Sequence, residues 1–102
     1  MVVFLYRWRL KMDKEQQFAD AWAAVTKFHL ENSNSLGSRL HKGSDGIYYG
    51  YACWPDIETR KVAFDIPYEM PEFALMREAV EESFPEVELS IVEDLISART
   101  DA

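Results

Sequence analysis

The opening of the chain alternates. Val2, Phe4, Tyr6 and Trp8 fall on one side of an extended backbone, and Val3, Leu5, Arg7 and Arg9 on the other. Period-two patterning with β-branched and aromatic residues predicts a strand over Val2–Arg9. The period then changes. Phe18, Ala21, Trp22, Val25, Phe28 and His29 recur at helical spacing and make one apolar stripe. Asp13 is placed to cap this helix, with Gln16 as its capping-box partner. Asn32–Asn34, a run of poor helix formers, predicts where it stops. Leu36–Lys42 and Ile47–Trp54 read as two strands. The intervening Ser44-Asp45-Gly46 tolerates positive φ, so the pair makes a hairpin.

Pro55 ends the third strand, and Asp56 can cap a short helix through about Phe64. Ile66-Pro67-Tyr68 reads as a linker. Pro71 suits the first turn of a further helix, with Phe73, Met76, Val80 and Phe84 as its buried stripe and Pro85 as its stop. Val87–Ser97 alternates again and predicts the last strand. The order is β-α-β-β-α-α-β. That is an α+β, ferredoxin-like arrangement with one antiparallel sheet, covered by helices on one face. Residues 1–102 carry no repeat, low-complexity stretch or domain linker, so one domain is expected.

The uncovered sheet face changes the picture. On the third strand Ile47, Tyr49, Tyr51 and Cys53 point one way and Tyr48 and Trp54 the other, so both sides carry bulk. A solvated face is ordinarily more polar. Burial against a second copy, as a symmetric homodimer, is the simplest resolution. The alternative is a face covered by its own tyrosines, with their hydroxyls in water.

Composition removes several function classes. The net charge is −7 and the 11 basic residues are scattered, so a nucleic-acid backbone or an anionic membrane surface would be repelled. The apolar runs are too short to span a bilayer. Met1–Leu10 lacks the basic start of a secretory leader. Cys53 is the single cysteine and has no partner for an internal disulfide, which fits a reducing cytoplasm. The two histidines have no metal spacing and no phosphate-binding glycine loop is present, so neither metal nor cofactor is expected.

The candidate chemistry is therefore aromatic. Tyr6, Trp8, Trp22, Phe64 and Tyr68 either line a cleft between sheet and helices or fill an aromatic core. In a cleft, the hydroxyls of Tyr6 and Tyr68 can bond a phenol or enolate. Trp54, beside Pro55, either walls a pocket for a flat ring or packs the strand–helix corner. His41 is a base near neutral pH or an ordinary surface residue. His29 lies near the C-terminus of its helix, where the dipole favours a protonated ring in a structural role. Cys53 reads as a small buried hydrophobe. Glu78, Glu81, Glu82, Glu86 and Glu88 read as a solvated face.

The segments Leu36-Gly37-Ser38-Arg39-Leu40-His41-Lys42, Asp45-Gly46 and Tyr49-Gly50-Tyr51-Ala52-Cys53-Trp54-Pro55-Asp56 resemble the central hairpin of the antibiotic biosynthesis monooxygenase (ABM) domain family. The resemblance implies a dimeric α+β barrel, two ferredoxin-like subunits with sheets face to face. It also implies a cofactor-independent monooxygenase acting on an aromatic or polyketide-like molecule, with Tyr6, Trp54 and Tyr68 as candidate catalytic residues and Trp8, Trp22, His41 and Phe64 against the substrate. The haem-degrading branch carries a first-strand Asn and a His ten residues after the strand-ending Trp. Here the first strand has no Asn and Phe64 stands at the latter position, so haem degradation is disfavoured. The alternative reading is a non-catalytic dimer that binds a small hydrophobic ligand or plays a structural part.

Overall fold

The first strand organises the sheet. In a computed structural model, which describes residues 1–67 and 69–97, Val2–Leu10 forms β1. Along one edge it pairs with β3 (Tyr48–Trp54), from Val2 opposite Trp54 to Trp8 opposite Tyr48. Along the other it pairs with β4 (Val80–Ser83) and β5 (Val87–Ser90). β2 (Gly37–Lys42) extends the sheet beyond β3. The strand order is β2-β3-β1-β4, with β5 also on β1, and every pairing is antiparallel. Three helices complete the α+β fold: α1 (Glu15–Asn32), α2 (Ile57–Asp65) and α3 (Pro71–Ala79). No helix among the described residues is long and apolar enough to cross a membrane.

The predicted elements form with revised ends. Asp56 caps α2 by accepting from the Thr59 amide at 2.7 Å, and Pro71 opens α3. Asp45 Oδ1 accepts from the Ile47 amide at 2.9 Å, and Gly46 takes a φ of 81°, closing the β2–β3 connection. Asp13 does not cap α1. It sits at φ 70° in the tight turn after β1, Lys14 takes the cap position without a side-chain bond, and Gln16 bonds Asp20 instead. A left-handed residue cannot also hold the extended backbone that capping needs.

The larger correction lies at the far edge of β1. The helix expected to run to Phe84 ends at Ala79, and Val80–Ser83 becomes β4 against Trp8–Leu10. Ala79 is fully buried, and its carbonyl accepts from the Lys11 amide at 2.8 Å. The helix propensity of Glu81 and Glu82 is worth roughly a few tenths of a kcal/mol per residue. Pairing the otherwise open end of β1 outweighs it. The last strand stops at Ser90 rather than Ser97 because Ser90 already faces Val2, where its partner strand begins.

Alternation sorts the sheet faces. On β3, Tyr48, Gly50, Ala52 and Trp54 are buried beneath the helices, and Tyr49, Tyr51 and Cys53 occupy the other face, half-buried. Val2, Phe4, Ala52, Trp54 and Ala63 form a buried cluster with Tyr6 against it. Gly50 has a steric reason to be glycine, since a Cβ there would lie 2.9 Å from two ring carbons of Trp8. Gly50→Ala therefore forces the indole to move. It should destabilise the fold by about 1–3 kcal/mol, measured as a lower urea midpoint with an unchanged m-value.

Candidate functional site

The helices do not close fully onto the sheet. Between them lies a cavity of about 660 Å³. Its floor is the sheet: Tyr6 and Trp8 from β1, Ala52 and Trp54 from β3, and Ser38 from β2. The small Ala52, between larger neighbours, leaves the space. α1 contributes Trp22, Val25, Thr26 and His29, one side of its stripe. α2 adds Ala63 and Phe64, the α2–α3 connection adds Ile66, Pro67, Glu69 and Met70, and α3 adds Phe73, Met76 and Arg77. The walls are mostly apolar with a few polar groups, the usual character of a small-molecule site.

The cavity thus brings together Tyr6, Trp8, Trp22, Trp54 and Phe64. Tyr6 and Trp8 stack at 5.7 Å with planes 10° apart, and Trp8 packs on Phe18 at 4.9 Å. At the other end Trp54, Phe64 and His29 meet. Trp54 lies edge-on to Phe64 at 6.0 Å and to His29 at 5.7 Å. Trp54 is only 3% exposed, and its Nε1–H has no acceptor among the described residues. Trp54 therefore packs the strand–helix corner and lines the cavity at once. Tyr68 lies outside the described residues.

Two histidine expectations change. His41 is exposed on β2 and pairs with Tyr49. Strand parity turns it to the face opposite Ser38, so it does not line the cavity. His29 does line it. Burial lowers its pKa, so desolvation overrides the helix-end preference for a protonated ring. Its Nδ1 lies 3.0 Å from Ser33 Oγ, and its ring stacks on Phe64 at 5.9 Å. The site therefore holds a neutral imidazole near neutral pH. Cys53 is on the other sheet face, and burial raises its pKa, away from nucleophilic use.

Arg60 was not anticipated. Its Nη2 donates to Tyr6 Oη at 2.8 Å and to Glu86 Oε2 at 2.6 Å. The guanidinium lies 3.8 Å from the Phe4 ring centroid and 4.3 Å from that of Phe64. Its spacing to Ala63 and Phe64 on α2 puts the three on one helix face, which is the sequence signal for it. Burial raises the Tyr6 pKa, and the Arg60 hydrogen bond and charge oppose that rise. No cluster of three or more His, Cys, Asp and Glu side chains suited to a metal occurs among the described residues.

This geometry has known counterparts. SnoaB, a cofactor-independent oxygenase from Streptomyces nogalater, superposes with a TM-score of 0.78 at 18% identity, covering 94% of this chain and 97% of its own. A candidate antibiotic biosynthesis monooxygenase from Caulobacter crescentus gives 0.76 at 15% identity over 90% of both chains. Another from Deinococcus radiodurans gives 0.74 at 8% identity, covering 97% and 100%. No sequence-family model and no curated protein sequence matches the chain. The chain has the fold of the ABM proteins.

The buried state of His29 carries a pH consequence. Unfolded, the imidazole takes a proton near 6.5, but in the fold it does so only at lower pH. Its neutral burial thus contributes stability in full above that value, and the contribution is lost as pH falls toward the folded pKa. Urea midpoints should decline from pH 7.5 to 5.5, and His29→Phe should flatten the decline.

Proposed function

We propose that the cavity binds an aromatic or polyketide-like small molecule and that the protein oxygenates it without a cofactor. The observation that carries this reading is the aromatic-walled cavity of about 660 Å³ on the helix face of the sheet. The likeness to SnoaB, named a cofactor-independent oxygenase, supports it. The chemistry asks little of the protein. A substrate such as an anthrone loses a proton from the carbon opposite its carbonyl and becomes an enolate. That carbon passes electrons to dioxygen and forms a C–O bond as a peroxide. The peroxide takes a proton and loses water, leaving a quinone carbonyl, so one O₂ yields one new carbonyl and one water.

Each residue has a task in that scheme. Trp54 and Phe64, edge-on to each other, form a corner against which the flat ring packs, Trp8 and Trp22 wall it, and Tyr6 hydrogen-bonds the oxygen on which enolate charge develops. Exclusion of water by these rings strengthens that bond. Tyr68, outside the described residues, remains a candidate on its phenol hydroxyl alone. Oxygen uptake with anthrones and quinols tests the reading: consumption at one O₂ per quinone supports it, and no consumption across the panel overturns it. Trp54→Phe should then reduce affinity or turnover several-fold while costing only about 1–2 kcal/mol of stability. A ligand bound equally by both forms removes Trp54 from the pocket wall.

The protein is further proposed to work in the cytoplasm as a single-domain homodimer. Leu36, Ile91, Val92, Leu95 and Ile96 are exposed, and the second sheet face carries Leu5, Tyr49, Tyr51 and Cys53. Leu36, Tyr51, Cys53, Ile91 and Ile96 line one hollow there, and exposed apolar surface of this kind is commonly covered by a partner. Sedimentation at micromolar concentration should give twice the chain mass of 11.9 kDa.

A further inference from the structure

The Tyr6–Arg60–Glu86 cluster has a direction. A guanidinium donates hydrogen bonds and accepts none. In the 2.8 Å contact between Arg60 Nη2 and Tyr6 Oη, the phenol is therefore the acceptor, and its own proton is not consumed by that bond. Glu86 also interacts with the phenol through a side-chain hydrogen bond that raises its pKa, more weakly than Arg60 acts on it, so a ligand oxygen in the cavity competes with Glu86 for the phenol proton. Glu86 Oε2 is already engaged by Arg60 at 2.6 Å. Tyr6 lines the cavity, whereas Arg60 stands behind it, stacked on Phe4 and Phe64.

We propose that Arg60 is a positioning residue that holds Tyr6 as a hydrogen-bond donor to the ligand, making the cavity selective for aromatic molecules with a carbonyl or enolate oxygen. The inference deepens the proposed function and rests on it. A phenol that accepts from a cation becomes a stronger donor, because bonds in a chain polarise one another. Glu86 balances the Arg60 guanidinium, so the cation behind Tyr6 is not an unpaired charge toward a neutral ketone. As charge builds on the ketone oxygen, the donor and the cation behind it both answer. Arg60 reaches the ligand only through Tyr6, and Glu86 anchors Arg60.

A matched pair of probes reads the assignment. Anthrone and 9,10-dihydroanthracene share a three-ring skeleton, and only anthrone carries the oxygen. Wild type should bind anthrone on the order of tenfold more tightly, the value of one well-made hydrogen bond. Tyr6→Phe and Arg60→Met should both erase that preference, and Arg60→Lys, which keeps a cationic donor, should retain part of it. A purely structural Arg60 would weaken both probes equally and leave the ratio intact, which overturns the assignment. Equal binding of both probes by wild type also overturns it, while leaving the aromatic-site reading in place. Binding of neither probe removes the reading itself. The Arg60–Tyr6 coupling is then decided without ligand, by following the Tyr6 ring in protein labelled with [13Cζ]tyrosine across pH. Arg60→Met should raise the Tyr6 pKa and Glu86→Gln should lower it. A Tyr6 titration indifferent to both overturns the coupling, and Arg60→Lys serves in place of Arg60→Met should the latter fail to fold.

Discussion

The register between β1 and β3 is the constraint on which the cavity depends. It sets Gly50 opposite Tyr6 and Ala52 opposite Phe4. Toward the helices, β3 therefore presents a large, a small, a small and a large side chain: Tyr48, Gly50, Ala52 and Trp54. The two small residues leave a trough, and the rings of Trp8 and Tyr6 lean across its floor. A slip of one residue would turn Tyr49, Tyr51 and Cys53 toward the helices and fill the trough. If β3 kept its facing instead, the slip would turn β1 over and bury Arg7 and Arg9 without their present partners. Either outcome is costly, and that cost specifies the register more firmly than the hairpin turn alone.

The opposite edge of β1 ties the backbone to the site. β4 and β5 pair with Trp8–Leu10 and Val2–Leu5, leaving Tyr6 and Arg7 opposite the break between them. Phe84, Pro85 and Glu86 fill that break. The Phe84 amide bonds the Arg7 carbonyl, and Pro85, which has no amide hydrogen, sits where the ladder is interrupted. The Arg7 guanidinium donates to the Pro85 carbonyl and lies over the Phe84 ring. Because the interruption falls beside Tyr6, the carboxylate of Glu86 reaches the guanidinium of Arg60. An irregularity in strand pairing thereby supplies the counter-charge for a site on the helix side of the sheet.

Much of this was readable from side-chain periodicity. Period two on β1 and β3 and the helical stripe on α1 identify the sheet, its faces and the residues that meet in the cavity, because those segments answer to one partner each. Legibility fails where two partners compete. Val80 and Phe84 fit a helical stripe, and only the unpaired end of β1, far away in sequence, turns Val80–Ser83 into a strand. His29 fits a helix end, and only the rings of Trp54 and Phe64 around it reveal the burial that lowers its pKa. Arg60 and Glu86 look like ordinary surface charges 26 residues apart in the chain. His41 could be read from the sequence as a base or as a surface residue, and its pairing with Tyr49 puts it on the sheet face away from the cavity.

The electrostatics of the cavity follow from these placements. A mostly apolar lining disfavours unpaired charge, and three groups meet this in different ways. His29 is held neutral by desolvation, burial raises the pKa of Tyr6, and Arg60 is accompanied by Glu86 and two aromatic faces. Beside Glu69 and Arg77 in its wall, the site thus holds one neutral imidazole and one phenol backed by a compensated cation. It suits a substrate that carries its own reactivity and needs only a dry, flat enclosure and a donor for the oxygen on which charge accumulates. Since one fold hosts many activities, the proposed oxygenation rests on these side-chain placements and not on the likeness of the backbone alone.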